Sequence, residues 1–258
     1  MPQGTAWRCE DGHTFDVARA GYVNLLQPQD RRAALPGDPA DAVAAREWLL
    51  ARGIGVEALE GVVREARAWL RDGDGVVAEL GSGTGELLAK VVASIDGVDA
   101  VGLELSSAAI VRATRRCPAA TWIVANADRR LPLADGSVDV VLSMHARRNP
   151  SECARILRAG GGLIVVVPAP DDLIELRAAI GGAAVQRSRV DGVLREHAGL
   201  FVPVAAARLE ERHRLDPVAL TALLRATYRG ARQREARVAA LADLDVTLAS
   251  DLLTFRRR

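Results

Sequence analysis

Continuous apolar runs and amphipathic stretches take turns along most of this chain. Apolar runs occupy residues 76–80, 100–105, 122–125, 138–144 and 163–167, and each reads as a strand buried on both faces. Between them, residues 86–94, 106–116 and 151–157 space their apolar side chains three and four apart, as a helix with one buried face requires. Strands and helices in such alternation predict a parallel sheet covered by helices on both sides. Helices are also predicted over 40–53, stopped by Gly53, and over 56–70, where they cover a sheet edge or a ligand. Further on, the pattern predicts a turn at 160–162, helices over 171–180, 187–201 and 217–228, and strands near 208–215 and 246–255. Residues 7–26 mix Gly12 and Gly21 with aromatic and apolar positions, as hairpin-like turns do, and 27–39 hold three prolines, as a linker does. The chain thus divides into an accessory segment, 1–70, and a main domain, 71–258.

The chemistry concentrates where the first buried run ends. Residues 76–85 read VVAELGSGTG, a strand, a tight turn and a helix start. Gly81, Gly83 and Gly85 allow positive φ and let a ligand come to backbone contact, while a helix N-terminus offers unpaired N–H groups. The turn lacks the lysine of a P-loop, so it is not built to grip a nucleoside triphosphate. Glu79, just before the first glycine, suits a cationic sulfonium or amino acid group better than a pyrophosphate. Glu104 ends the second run about twenty residues past the glycines, where a carboxylate either meets ribose hydroxyls or caps the next helix. Asn126, Ala127 and Asp128 follow the third run, placed to meet an adenine edge, with Asn126 the first choice. His145, Arg147 and Arg148 emerge at the end of the fourth, where an α/β sheet presents its acceptor pocket.

Composition narrows the setting. Basic and acidic residues number 34 and 33, a net charge of +1, so overall charge does not argue for nucleic acid. Lys90 is the only lysine; the other basic residues are arginines, including Arg225, Arg229, Arg232, Arg234 and Arg237, a solvated helix face or a phosphate-binding one. The three cysteines form no C-x-x-C, and Cys9 with His13 makes half of a zinc site, so bound zinc is not expected. No apolar run approaches the length of a membrane span and no signal-peptide pattern opens the chain, which predicts a cytoplasmic protein.

The pattern E-x-G-x-G-x-G at Glu79 to Gly85 resembles the first motif of class I S-adenosylmethionine (SAM) methyltransferases, and L-P-L-x-D-G-S-x-D-V-V at 131–141 resembles their loop and fourth strand. A narrower likeness lies in RCEDGHTFDVARAGYVNLL (8–26), then Gly37-Asp38, A-A-R (44–46), R-N-P (148–150) and R-I-L-R-A-G-G (155–161). These resemble the bacterial 23S rRNA guanine-N1 methyltransferases, including macrolide-resistance members, which ties the chain to antibiotic resistance or biosynthesis. The resemblance implies a Rossmann-like α/β fold with a seven-stranded, mostly parallel sheet and a small N-terminal segment. It also implies SAM as cofactor, S-adenosylhomocysteine as product and a ribosomal hairpin as partner, with a homodimer by analogy. The cofactor side then comprises Glu79, Gly81, Gly83, Gly85, Glu104, Leu105, Asn126, Ala127 and Met144. The acceptor side comprises Tyr22, His145, Arg147 and Arg148. Two departures stand out: the family's first cysteine pair lies upstream of C-x-x-x-H and is missing here, and an expected Ala-Pro pair reads Ala146-Arg147. His145 either removes the N1 proton, its ordinary pKa near 6.5 suiting a base, or packs where relatives carry an aromatic ring. A small-molecule acceptor, and a SAM-binding protein without catalysis, are the alternatives.

Overall fold

A computed structural model describes residues 6–9, 12–26, 37–70, 74–181, 185–227 and 235–258. Its N-terminal hairpin pairs β1 (Ala6–Arg8) with β2 (Thr14–Asp16), antiparallel. All other strands form one eight-stranded sheet in the order β3-β6-β5-β4-β7-β8-β10-β9. Its members are β3 (Tyr22–Asn24), β4 (Gly75–Leu80), β5 (Val98–Glu104), β6 (Thr121–Val124), β7 (Val138–Met144), β8 (Leu157–Pro168), β9 (Phe201–Leu215) and β10 (Leu244–Arg257). The first six of that order run parallel; β10 and β9 pair antiparallel at the far edge. Seven of these strands answer the expected sheet, and the eighth is β3. That strand comes from the segment assigned to the accessory part and adds itself to the β6 edge, with Tyr22 opposite Trp122.

Nine helices are described: α1 (Ala40–Leu50), α2 (Val56–Ala66), α3 (Glu86–Ser94), α4 (Ser107–Arg116), α5 (Pro150–Ile156), α6 (Ile174–Ala179), α7 (Val190–His197), α8 (Pro217–Thr227) and α9 (Glu235–Ala239). Alternate strand residues serve opposite faces of the sheet, as the pleat requires. Val77, Val140, Leu142, Ile164 and Val166 join α2, α3 and α4 in one cluster; Ala78, Leu80, Val141, Leu163 and Val165 join α5 and α7 in another. A third cluster packs α1, α6 and α8 together through Leu49, Leu176, Leu220 and Leu224.

Several motifs prove to be structural devices. In R-N-P, the Asn149 side chain caps α5, accepting from the N–H of Ser151 (3.1 Å), and Pro150 takes the first helical position. In R-I-L-R-A-G-G, Arg155 donates to the carbonyls of Leu131 (2.9 Å) and Leu133 (2.8 Å) and to Asp135 (2.7 Å), clamping the L-P-L-A-D-G loop. The turn expected at Gly160 to Gly162 is instead part of β8, with a register shift against β7. A Cβ at Gly162 would stand 2.5 Å from the ring of Trp69, so the strand passes beneath that indole only without one.

Candidate functional site

Chain order reverses beside β4: β5 and β6 lie to one side, β7 and β8 to the other, and a ligand crevice opens at the carboxyl ends around that point. The glycine turn forms its floor. Gly81, Gly83 and Gly85 all hold positive φ, at 73°, 53° and 80°. A Cβ on Gly81 would lie 2.4 Å from that of Ala146, and one on Gly85 would lie 2.6 Å from the Trp122 ring. The turn is therefore pressed between the exit of β7 and the indole, and N–H groups of Gly81 and Ser82 donate to the Leu103 carbonyl at 2.8 and 3.1 Å.

Two carboxylates flank it. Glu104 Oε2 accepts from the Gly83 N–H at 3.0 Å, and Oε1 accepts from the N–H groups of Leu105 (2.7 Å) and Ser106 (2.8 Å). The side chain caps the start of α4 and retains acceptor capacity for a ligand hydroxyl, because an ionised carboxylate offers about four lone-pair sites. Glu79 is 2% exposed, and its Oε2 has no hydrogen-bond partner among the described residues. Burial, with Glu86 and Glu104 nearby, raises its pKa well above the carboxylate range, opposed by a hydrogen bond from the Leu88 backbone. A buried carboxyl oxygen without a partner among the described residues, beneath a turn open to backbone contact, fits a cationic ligand group, whose charge would favour the ionised form.

The Gly37-Asp38 and A-A-R motifs meet over this floor. Gly37 has φ of 82°, and a Cβ there would lie 2.7 Å from the Ser106 nitrogen; the Ser106 hydroxyl donates to the Asp38 carbonyl at 3.1 Å. Arg46 pairs with Asp38 at 2.8 Å, donates to the Ala226 carbonyl at 3.1 Å, and lies 3.7 Å from where a Gly83 Cβ would stand. Beside it, Glu47 pairs with Arg112 (2.8 Å) and Arg116 (3.0 Å), and Arg116 also pairs with Glu86 (2.8 Å). α1 is thereby fastened across the glycine turn. Arg46 was not among the expected site residues, although its motif signalled it: periodicity shows only which face of α1 is polar.

The remaining expected residues divide. Leu105 and Met144 stand half-buried where β5 and β7 end, and Asn126 and Ala127 occupy the turn after β6, with the Asn126 Oδ1 accepting from the Asp128 N–H at 3.0 Å. Arg147 reaches across to Asp128 at 2.9 Å with its side chain 80% exposed. Arg148, expected on the acceptor side, is instead turned inward: its side chain is 9% exposed and lies against His197 (3.4 Å) and Glu196 (3.7 Å). Tyr22 packs against the cluster that contains Trp122. Of the arginine run, Arg225 pairs with Glu235 at 2.7 Å and Arg237 donates to the Ile180 carbonyl at 3.3 Å; Arg229, Arg232 and Arg234 lie outside the described residues.

His145 leaves β7 with φ of 54°, its N–H donating to the Val166 carbonyl and its Nε2 2.9 Å from the Ser250 hydroxyl. The residue is exposed to solvent at its surface, yet it is crowded by surrounding protein. Desolvation, then the charges of Arg46 and Arg189, push its pKa down to about 4. It is neutral at pH 7 and a weaker base than its ordinary value promised.

At the other end of the chain, Cys9 Sγ lies 3.3 Å from His13 Nδ1, on a turn closed by the N–H of Cys9 to the His13 carbonyl and of Gly12 to the Cys9 carbonyl. Both side chains are exposed and converge as two metal donors would. A closed zinc site needs four, and no group of three candidate ligands occurs among the described residues; Cys117 and Cys153 are buried elsewhere. The donors present fit half a site, so no chemistry is routed through a metal.

Residues 77–161 match a family described as a methyltransferase domain, and residues 1–34 match a zinc-ribbon family described as RlmA, N-terminal, which stands against the expectation of no zinc. The 23S rRNA (guanine(748)-N(1))-methyltransferase of Streptomyces fradiae is 41% identical over 214 residues, 83% of this chain and 75% of the relative. A Micromonospora griseorubida protein provisionally named a 23S rRNA (guanine-N(1)-)-methyltransferase is 38% identical over 81% of this chain and 74% of its own. Among solved structures, YcgJ from Bacillus subtilis shares the fold, with a TM-score of 0.55 at 13% identity over 78% of this chain and 97% of its own. With that identity carried over most of both chains, and the glycine turn, carboxylates and α1 strap arranged on a class I methyltransferase sheet, the chain belongs to the 23S rRNA guanine-N1 methyltransferase family.

Proposed function

We propose that this chain transfers a methyl group from SAM to N1 of a guanine in a hairpin of 23S rRNA, in the cytoplasm where ribosomes are. The observation that supports this most is the 41% identity to the Streptomyces fradiae enzyme over 83% of this chain. Bound SAM supplies a methyl carbon made electrophilic by the adjoining sulfonium. The chain's contribution is to hold that group in line with the acceptor, at near-attack distance. Gly81, Gly83 and Gly85 admit the cofactor to main-chain contact, and Glu104 offers its spare lone pairs to ribose hydroxyls. Asn126 and Ala127 border the adenine, Leu105 and Met144 supply apolar walls, and Glu79 provides the orphaned acceptor for the ammonium. Arg46 faces the cofactor carboxylate with Asp38 fixing its guanidinium, a charge-assisted contact.

The acceptor guanine must leave its stack to reach the crevice, and Arg147, exposed at the rim, takes a phosphate. His145 orients the base by hydrogen bonding as a neutral imidazole, held by Ser250. The test is methyl transfer from radiolabelled SAM to undermodified 23S RNA, beside a pool of small aromatic and amine metabolites. Label mapped to one guanine N1, with RNA binding that weakens steeply as salt rises, is the expected result. Label confined to a small molecule refutes the ribosomal acceptor, and label in neither refutes catalysis.

A further inference from the structure

Among the described residues, two that are not glycine hold left-handed backbone, His145 and Leu173, each with φ of 54°. Such conformations persist where the surroundings impose them and cluster at working sites. Both follow carboxyl ends of neighbouring strands: His145 directly after β7, and Leu173 in the loop beyond Pro168, the end of β8. Leu173 is buried and donates its N–H to the Thr247 carbonyl at 2.8 Å, which fixes the residue before it, Asp172. The Asp172 Oδ1 accepts from the Ala249 N–H at 3.0 Å; the next residue, Ser250, holds His145. Consecutive residues of β10 thus hold a carboxylate and an imidazole, each beyond the carboxyl end of one of two neighbouring strands. Arg189, just ahead of α7, bears electrostatically on both.

The charged groups around Asp172 are otherwise committed. Asp171 pairs with Arg208 at 2.7 Å, and Glu175 accepts from Thr247 through its N–H (2.9 Å) and hydroxyl (2.7 Å). Arg177 donates to the Pro170 carbonyl at 2.8 Å. Asp172 and Arg189 form no ion pair among the described residues. A half-buried carboxylate and an exposed guanidinium that forms no ion pair among the described residues, close enough to act on it electrostatically, suit the polar edge of one base. Guanine presents N1–H and N2–H as donors and O6 as an acceptor.

Resting on the proposed guanine acceptor, we propose that Asp172 receives the guanine N1–H and takes that proton during transfer, while Arg189 faces O6. The N1–H bond breaks and its proton passes to an Asp172 oxygen; the freed N1 lone pair bonds the methyl carbon, and the former carbon–sulfur pair stays on sulfur. Base and cofactor products are both neutral, and Asp172 returns its proton to water. Charge that builds on O6 as the proton leaves is met by Arg189. Burial raises Asp172 to about 6, so it is ionised at pH 7 yet more basic than a surface aspartate.

The test compares wild type with Asp172→Asn and Asp172→Glu in the full chain, on the 23S hairpin RNA, with SAM affinity, RNA affinity and kcat measured from pH 5 to 8. Asn keeps the Oδ1 acceptor for Ala249 and loses the base. The expected result is both affinities within about threefold of wild type, kcat lower by about 100-fold, and loss of the acid limb near pH 6. Glu is expected to restore part of kcat and the acid limb. Asn turning over at the wild-type rate, or Asn and Glu losing activity alike, overturns the role of Asp172 and leaves the guanine reading intact. A wild-type chain that methylates no guanine N1 overturns both.

Discussion

Replacing Gly102 by alanine tests whether Trp122 sets the position of the glycine turn. Gly102 lies in β5, and an added Cβ would stand 2.2 and 2.4 Å from two ring carbons of Trp122 and 3.0 Å from the Ser82 hydroxyl. Ordinary carbon contacts are about 3.5–4.0 Å, so ring or strand must yield by well over 1 Å. The ring has little freedom, because its Nε1 donates to the Cys117 carbonyl at 2.9 Å and its far edge abuts Gly85. Overpacking costs about 1–3 kcal/mol, and this site belongs near the top of that range. For a domain of this size the melting temperature should fall by about 6–10 °C. SAM affinity should weaken too, because Ser82 lies in the turn. Trp122→Phe leaves a cavity and destabilises on its own, but the double variant should recover about 1–2 kcal/mol relative to the sum of the two changes. Thermal unfolding of the four proteins measures this. Strict additivity refutes the reasoning, since it would mean that the two side chains do not compete for space.

Arg46→Ala should weaken SAM binding by about 10- to 100-fold, the loss of one charge-assisted contact, while Arg46→Lys recovers part of it; calorimetric titration with unchanged affinity would exclude Arg46 from the cofactor carboxylate. His145→Phe should flatten the acid side of the stability profile. The folded protein holds His145 near pKa 4 against 6.5 unfolded, so its contribution is present above pH 6.5 and lost as pH falls toward 4. After allowance for its solvent access this amounts to about 1 kcal/mol, and parallel denaturant titrations of both proteins between pH 4 and 7 would contradict the shift.

The elements that build the crevice were legible because each carries a local signal. β7 and α3 run as the periodicity predicts, over Val138–Met144 and Glu86–Ser94, and the glycine turn lies between strand and helix as its composition requires. Local signals failed where a distant partner decides. Gly160 to Gly162 punctuate like a turn, but Trp69 needs the space, and that contact is invisible in a window of neighbours. β3 is three residues long, below what periodicity can register, and exists because the β6 edge accepts it. Arg148 illustrates the same limit for function. Its place at the end of β7 assigns it to the acceptor side, yet His197, which stacks on Phe255 at a centroid distance of 5.1 Å, draws it inward.

The crevice also shows why position on a strand end outperforms residue type as a guide. His145 and Asp172 exchange the roles their ordinary chemistry assigns. The histidine, with a pKa that suits a base in water, is depressed by the crowding of surrounding protein and two guanidinium groups; the aspartate, a weak base in water, is lifted by burial to about 6. The sequence places His145 at a strand end and Asp172 in an expected helix, but it carries no measure of desolvation or of the charges that α1 brings with Arg46 and the start of α7 with Arg189. A general base in this crevice is therefore selected by what is packed around it, and the aspartate is the group whose surroundings move it toward the pH at which a guanine N1 proton can be taken.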